Sequence, residues 1–558
     1  MTEVLYNPND ALGIYDVIII GAGPCGLAVA ARLREKTPSA MFTDEEQRRY
    51  CWVKKHEGKM SIKNKKTQAT KVASQSEVKR HGYSMLVVDN SGDQWMSKWD
   101  RLFRMFEISH LRSPMFFHVD PRNRDGLLGY AHEHQRAKEL IEIGGCVGQE
   151  RSKHQRKKDR GLAGNWKETA IDERDRSDYY TPSTALFHDH CHEVVDKYSL
   201  QEGLLSNETL LDLDYGYVEE VSAVDKIFTV TTDKGKRYAR TVVMSVGAGN
   251  VPCIPGTGGC KVIDGGCHAM HIQQFPDPHV STKIRERKST EVMIVGGGLT
   301  AAHLAANALA KGVTKVHMVI RSHLKVKPFD IDLSWMGKFR NVQQATFWSS
   351  DTDGERWDQI QMARNGGSIT PRIHKVLKKF CDQGRLAIHT NTIIQSRAFD
   401  TNSRQWDIET RPRVELPRID YIYFATGIPT DFTKLSYFQK MMEKYPIDGI
   451  GGLPCLSDDM AWCEEVPLYM VGKLASLRIG PGSANLAGAR IGAERVAWSI
   501  QEQLGGGEAK ADEASDSYSL GIGNAFESLT TGSETDLSDD TSDSSCSSCS
   551  SANKSSCR

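Results

Sequence analysis

The chain has 558 residues, long enough for two or three domains with sizeable cores. Its 71 basic residues balance its 71 acidic ones, so no global field draws it to nucleic acid or to an anionic membrane surface. No apolar run approaches the roughly 20 residues needed to span a bilayer. The N-terminus carries neither a basic n-region nor an apolar h-region, so the expectation is a cytoplasmic protein with no secretory signal and with its 13 cysteines as free thiols.

In chain order, the first element is the strand Asp16-Val-Ile-Ile-Ile20, which runs into Gly21-Ala-Gly23-Pro24-Cys-Gly26 and then the helical Leu27-Ala-Val-Ala-Ala-Arg-Leu33. A tight glycine turn between strand and helix presents free N–H groups and a positive dipole end, which together receive a pyrophosphate. Gly21 permits the turn, Gly23 lets the backbone approach the phosphates, and Gly26 lets helix and strand pack closely. Cys25 is expected to be a small buried filler. An acid is expected about 20 residues on to bind the ribose. Asp44, at the end of the strand 40–43, fills that place, with Glu45 beside it. Gly92-Asp-Gln-Trp95 and His110-Leu-Arg-Ser-Pro114 follow as flavin-facing segments, the second after a helical run from Met96. The polar stretch 151–178, with the basic run 153–160, reads as a solvated surface insertion. The strand 242–246 then leads out of the first domain through Gly247-Ala-Gly-Asn-Val-Pro252.

A second fingerprint follows. The strand Val292-Met-Ile-Val295 enters Gly296-Gly-Gly298-Leu-Thr-Ala301, with the helix continuing through Leu309. The next strand, 315–320, ends in Arg321, with Lys325 and Lys327 close behind. A cation at that place pairs with a 2′-phosphate, where a carboxylate would repel it. The first site therefore reads as an FAD site and the second as an NADPH site. Asp420-Tyr-Ile-Tyr-Phe424, before Ala425-Thr426-Gly427, is expected to lead back into the first domain. Gly480-Pro-Gly-Ser-Ala-Asn485 reads as a glycine turn entering a late helix, whose N-terminus can polarise the flavin pyrimidine edge. From 506 the chain is rich in Ser, Thr, Asp and Glu and is expected to be disordered, a handle for a protein partner. Its Cys546-Ser-Ser-Cys549 has no strand or helix to position it and reads as low complexity.

The predicted fold is α/β: a two-dinucleotide-binding flavoprotein with a Rossmann-like NADPH domain (286–414) inserted into an FAD domain (1–285 and 415–505), plus the tail 506–558. The motifs, in this order, resemble the class B flavoprotein monooxygenases, and within them the N-hydroxylating branch typified by ornithine and lysine N-monooxygenases. GxGxxG at Gly21–Gly26, GxGxxA at Gly296–Ala301 and Asp420-x3-Phe424-Ala-Thr-Gly427 carry the resemblance. His271-x3-Phe275-Pro276 adds the latter half of the linker fingerprint of the class, and Trp52, His56 and Met60 resemble an early stretch of the branch. The chain departs from the pattern at Ile428, where an aromatic is expected, and at Cys267, where a glycine is expected.

The resemblance implies a monooxygenase in which NADPH reduces FAD, O2 adds to give a flavin C4a-hydroperoxide, and one oxygen passes to a small nucleophile such as an amine. It implies cofactor contacts at Trp95, Thr426, Gly427 and Asn485. No catalytic acid or base is singled out, because the chemistry belongs to the cofactor; His271 either anchors the interdomain linker or helps close the nicotinamide site. The layout is also similar to that of the mammalian oxidative-stress growth-inhibitor flavoproteins, so a regulatory FAD-binding protein with little turnover stays open, as does another NADPH-dependent flavin oxidoreductase.

Overall fold

The computed structural model describes residues 13–35, 82–148 and 171–505, apart from 202, 251, 253 and 337–339, together with residue 52 and the segments 61–63 and 70–72. Asp44, Glu45, the strand expected at 40–43, the basic run 153–160 and the tail 506–558 lie outside the described residues. The chain divides into two compact units, Met1–Phe42 with Arg80–Glu508 and Thr43–Lys79 with Ala509–Arg558. The second contributes one described antiparallel hairpin, Ser61–Lys63 with Thr70–Val72. The first holds both glycine fingerprints.

The strand β1 (Ile14–Ile20) is a β-branched run whose last five residues are sequestered from solvent. Such a run suits a central parallel strand covered on both faces. It leads to α1 (Pro24–Arg34). Beside β1 on one edge lie β2 (Met85–Asp89) and then β3 (Leu205–Asn207), both parallel; on the other lies β4 (Gly235–Met244), also parallel. The first half of β4 pairs antiparallel with the long strand Ser222–Thr232. Between β2 and β3 come the helices α2 (Ser97–Met105) and α3 (Thr184–Lys197).

The second sheet repeats the plan. β5 (Gly266–His268), β6 (Glu291–Val295), β7 (Lys315–Val319), β8 (Leu386–His389) and β9 (Tyr421–Phe424) are mutually parallel in the order β5-β9-β6-β7-β8. The helix α4 (Leu299–Ala310) follows the glycine turn after β6. The chain then returns: β10 (Val466–Met470) adds to β4 in parallel, and α5 (Leu486–Gly505) lies against α1. Arg32 of α1 donates to Glu494 of α5 at 2.7 Å, with side chains 7% and 0% exposed. Removing one partner of so buried a pair costs about 3–5 kcal/mol, because it strands the other charge.

One expectation is corrected. The strand 420–424 does not lead back into the first sheet; as β9 it pairs with β6 and β5 in the second, Val295 opposite Phe424. The chain passes back only after Gly427, where Asn250 and Asp431 exchange hydrogen bonds of 2.8 Å. All four residues of β9 are buried. A fully apolar run fits the middle of either sheet equally well, so its pattern marks a strand without saying which sheet it joins.

Candidate functional site: two strand-end cradles and a cavity

Ligands of parallel α/β sheets bind beyond the carboxyl ends of the strands. In the first sheet those ends bring together Gly21 after β1, Asp89 at the end of β2, Ser245 after β4 and Gly472-Lys473 after β10. Gly21 has φ +108°, and a Cβ there would lie 2.7 Å from the Ser245 carbonyl oxygen. Ser245 Oγ donates within the same turn, to the Gly21 and Ile20 carbonyls at 2.6 and 2.8 Å. A Cβ on Gly26 would meet the Gly21 carbonyl oxygen at 2.0 Å, so helix and strand can approach only through a glycine.

Gly23 differs. A Cβ there would meet nothing within 4 Å, and Gly23 begins α1 with no side-chain cap and no acid in the first turn. Pro24 stands at N1, where its missing N–H costs nothing. Open space in front of uncapped N–H groups is a cradle that fits a pyrophosphate.

The acid beside this cradle is Asp89. Its Oδ2 accepts from the Ala22 N–H at 2.7 Å and its Oδ1 from the Ser91 N–H at 2.6 Å. Asp44 and Glu45, the expected ribose acids, lie outside the described residues. Asp89 ends β2, the strand hydrogen-bonded beside β1, which is where a ribose acid stands in dinucleotide-binding sheets. The sequence carries the signal: Met85-Leu-Val-Val-Asp89 is an apolar run ending in an acid just before Gly92. Counting about 20 residues from the fingerprint stops well before β2 begins. Trp95 is buried and its Nε1 donates to the Leu200 carbonyl at 2.8 Å, while the Met96 N–H donates to the Ala22 carbonyl at 2.8 Å. Trp95 thus pins the loop from the core side.

The second cradle has the same backbone. Gly296 has φ +142°, and a Cβ there would lie 2.4 Å from the Ala425 carbonyl oxygen. Gly298 begins α4 uncapped, with open space where a Cβ would stand, so it too fits a pyrophosphate. Ala301 is fully buried in α4. Past β7, Arg321 is exposed and, among the described residues, has no hydrogen-bond or ion-pair partner. The nearby lysines are engaged: Lys325 Nζ donates to Asn365 Oδ1 at 2.8 Å and Lys327 Nζ to Asp332 at 2.7 Å. Thr426 and Gly427 follow β9 into the same cleft, and the His268 ring at the end of β5 lies 3.2 Å from the Gly427 carbonyl oxygen. The linker is fastened to β9, with the Phe275 ring 5.1 Å from that of Tyr423 and the Asp277 N–H donating to Tyr423 Oη. His271 ends a short turn in this linker, its Nε2 buried without a partner among the described residues.

Asp420 stands elsewhere. At the start of β9 it receives Lys283 Nζ at 2.6 Å, the Glu291 N–H at 2.9 Å and Gln405 Nε2 at 2.9 Å. Five extended residues, about 16 Å, separate it from Ala425. It is a knot at the far end of the sheet, away from the cradles.

Loops and the start of α5 line a partly open cavity of about 190 Å³, with Arg112, Phe117, Phe329, Asp330 and Asn485 among its walls. Arg112 donates to the backbone carbonyls of Lys327, Pro328 and Phe329 and to Ser368, so the His110–Pro114 segment is bolted to the second sheet's loops. Burial lowers the Arg112 guanidinium to about 10, still charged at neutral pH. Asn485 Nδ2 donates to Asp330 at 2.8 Å, immediately before α5 begins, as the glycine turn at 480–485 led one to expect. Arg364 pairs with the same carboxylate at 3.1 Å. Lys473 carries the main surprise. Burial, and then Arg364, lower its ammonium to about 8, with Asp330 opposing. A single lysine directly after a wholly apolar strand is its only trace in the sequence. Cys25 is half-buried, and burial pushes its thiol up to about 12.

Known proteins place this arrangement. The structure is similar to the reduced form of an ornithine hydroxylase from Pseudomonas aeruginosa, at 17% identity and TM-score 0.55, covering 88% of this chain and 100% of that one. It is similar to an ornithine N-hydroxylase from Kutzneria sp. 744 solved with reduced FAD, NADP+ and L-ornithine, at 15% identity and TM-score 0.55, with the same coverage. L-lysine 6-monooxygenase from Pseudomonas syringae follows at 15% identity and TM-score 0.52, again covering 88% and 100%. At these identities the likeness is one of fold. No curated protein matches the sequence. The profile of the pyridine nucleotide-disulphide oxidoreductases matches residues 15–336, more than half of the chain. With two parallel sheets, two glycine cradles at their carboxyl ends and this match, the chain is an oxidoreductase of the pyridine nucleotide-disulphide oxidoreductase family.

Proposed function

We propose that the protein is an FAD- and NADPH-dependent monooxygenase that inserts oxygen into a small nucleophile, a primary amine being the first candidate. The observation that carries the reading is the opposite chemistry of the two strand ends, Asp89 beside the first cradle and, beside the second, Arg321, which has no partner among the described residues. Asp89 accepts hydrogen bonds from the FAD ribose, and Gly21, Gly23 and the α1 N-terminus hold its pyrophosphate. Arg321 takes the 2′-phosphate of NADPH, and Gly296, Gly298 and the α4 N-terminus its pyrophosphate. When bound, the flavin supplies hydride acceptance and the activation of O2. The protein's own part is placement and exclusion of water. Arg112 locks the loops of the two sheets together around the cavity. Asp330 lines the cavity, held by Asn485 and Arg364, and the α5 N-terminus adds a positive dipole end.

The fold shared with ornithine and lysine hydroxylases and the Asp420-x3-Phe-Ala-Thr-Gly427 motif support oxygen insertion into an amine. So does the state of Cys25, the thiol inside the first fingerprint, which is held protonated and so poorly placed to act in dithiol exchange. Among the described residues no helix is long and apolar enough to cross a membrane. We place the enzyme in the cytoplasm, with the tail as a handle for a protein partner. The test is NADPH oxidation under labelled O2 across amines, thioethers and ketones, with product and hydrogen peroxide measured separately. Label in a product supports the reading. Quantitative peroxide with every acceptor overturns it in favour of an oxidase-like or regulatory flavoprotein.

A further inference from the structure

Away from both cradles, α2 and α3 bring three metal-ligating side chains together: Asp100 on α2, and His188 and His192 on α3. Their ligand atoms all lie within 4.8 Å of one another. The two histidines are four residues apart, so their rings share one helix face. His188 Nε2 stands 3.1 Å from His192 Nε2 and 3.3 Å from Asp100 Oδ2. A tetrahedral zinc with ligands at about 2.0–2.1 Å has ligand–ligand edges of about 3.3 Å, so these two edges already have the required length.

The second observation is the partner of the other ring nitrogen. His188 Nδ1 lies 3.1 Å from Asp189 Oδ1, and Asp189 is itself held by Arg136 at 2.5 Å. A carboxylate on Nδ1 fixes the proton there and leaves the Nε2 lone pair facing Asp100 and His192, as in carboxylate–histidine–zinc arrangements. The helices are seated on each other independently of any ion, through Trp99 against Phe187 with ring centroids 5.3 Å apart. All three ligands are part-exposed, so an ion can enter and keep water in its open positions.

We propose that Asp100, His188 and His192 form a three-ligand site for one divalent transition-metal ion of the zinc class, positioned by Asp189 and bracing α2 against α3. The site takes no part in the mechanism above and does not depend on it.

The test uses the full chain, flavin-loaded, untagged and freed of metal by a chelator. Zn2+ and Co2+ are titrated into the parent and into the His188→Ala/His192→Ala variant. Thiol-bound metal, including any on the cysteines of the tail, is common to both and cancels in the difference. The parent should bind one more equivalent than the variant, and Zn2+ should raise its melting temperature by a few degrees while leaving the variant's unchanged. Asp189→Asn should weaken the extra equivalent by about 10- to 100-fold. Equal stoichiometry in parent and variant, or an equal thermal response, overturns the proposal. Should the double variant fail to fold, Asp100→Asn and His192→Gln serve as separate comparisons, and full retention of the ion in both overturns it equally.

Discussion

Replacing Arg321 by alanine isolates nucleotide choice from folding. The side chain is exposed and, among the described residues, has no partner, so its removal breaks nothing in the folded chain. A hydrogen bond to a charged group is worth about 1.5–3 kcal/mol, and exposure places Arg321 at the lower end. About 1.5 kcal/mol is roughly tenfold in affinity. Arg321→Ala should raise the KM for NADPH about tenfold in steady-state assays and leave that for NADH unchanged. The melting temperature should stay at that of the parent. The discrimination should also shrink with salt, since the screening length falls from about 10 Å at 0.1 M to about 3 Å at 1 M. Lys325→Ala should do less, because the Lys325 ammonium is already spent on Asn365. An equal loss for NADH and NADPH, or a larger effect from Lys325, would refute the assignment of Arg321 to the 2′-phosphate.

Asp89→Ala should release FAD, measured as flavin retained through gel filtration, whereas Asp44→Ala should keep it; the reverse outcome restores Asp44 as the ribose acid. Two glycines of one fingerprint should part company. Gly21→Ala forces a Cβ to 2.7 Å from a carbonyl at positive φ, a loss of about 2 kcal/mol or more in denaturant unfolding, whereas Gly23→Ala should keep the stability of the flavin-free chain and lose only FAD. Lys473 makes a pH prediction. Its lowered ammonium, at about 8, means that the cost of holding its charge is present below about pH 8 and falls away as pH rises toward the ordinary lysine value. Lys473→Met should therefore raise the melting temperature of the flavin-free protein more at about pH 7 than at about pH 10; equal rises would show that Lys473 is not charged at a cost.

The two fingerprints were legible because they rest on local chemistry: β-branched runs that must be strands, glycines that must turn, and helices that begin where a side chain cannot cap. The place of Arg321 past β7 was legible for the same reason, since a single helix, α4, separates β6 from β7. Asp89 was not singled out because β2 begins far along the chain from α1, and a rule that counts residues cannot see which strand pairs with β1. The sheet to which β9 belongs was hidden because an apolar strand fits any interior. Asp420 illustrates a further limit. It anchors a motif shared with amine hydroxylases, yet it ties Lys283, Glu291 and Gln405 together at the end of β9 remote from the chemistry. A motif whose acid and glycine sit at opposite ends of one strand couples a structural knot to a binding turn. Lys473 had almost no signal, because its ammonium is lowered first by burial and then by Arg364, both set by the tertiary fold and not by its neighbours in the sequence.

The third fingerprint position shows how much the same turn can tolerate. At Gly26 a methyl would stand 2.0 Å from the carbonyl of Gly21, a contact relieved only by moving α1 off β1. That helix cannot easily move, since Arg32 holds α5 through a buried ion pair. At Ala301 the methyl is already present and fully buried among the residues packed around α4. The second turn therefore accepts a methyl where the first cannot, and its helix begins with the same uncapped N–H groups. The backbone in both cradles reads only the pyrophosphate, which FAD and NADPH share. What tells the cofactors apart has to sit beyond the neighbouring strand, in an acid at one site and a cation at the other. In the proposed assignment the opposed pair Asp89 and Arg321 sets the identity of each site more than any of the glycines that reveal it.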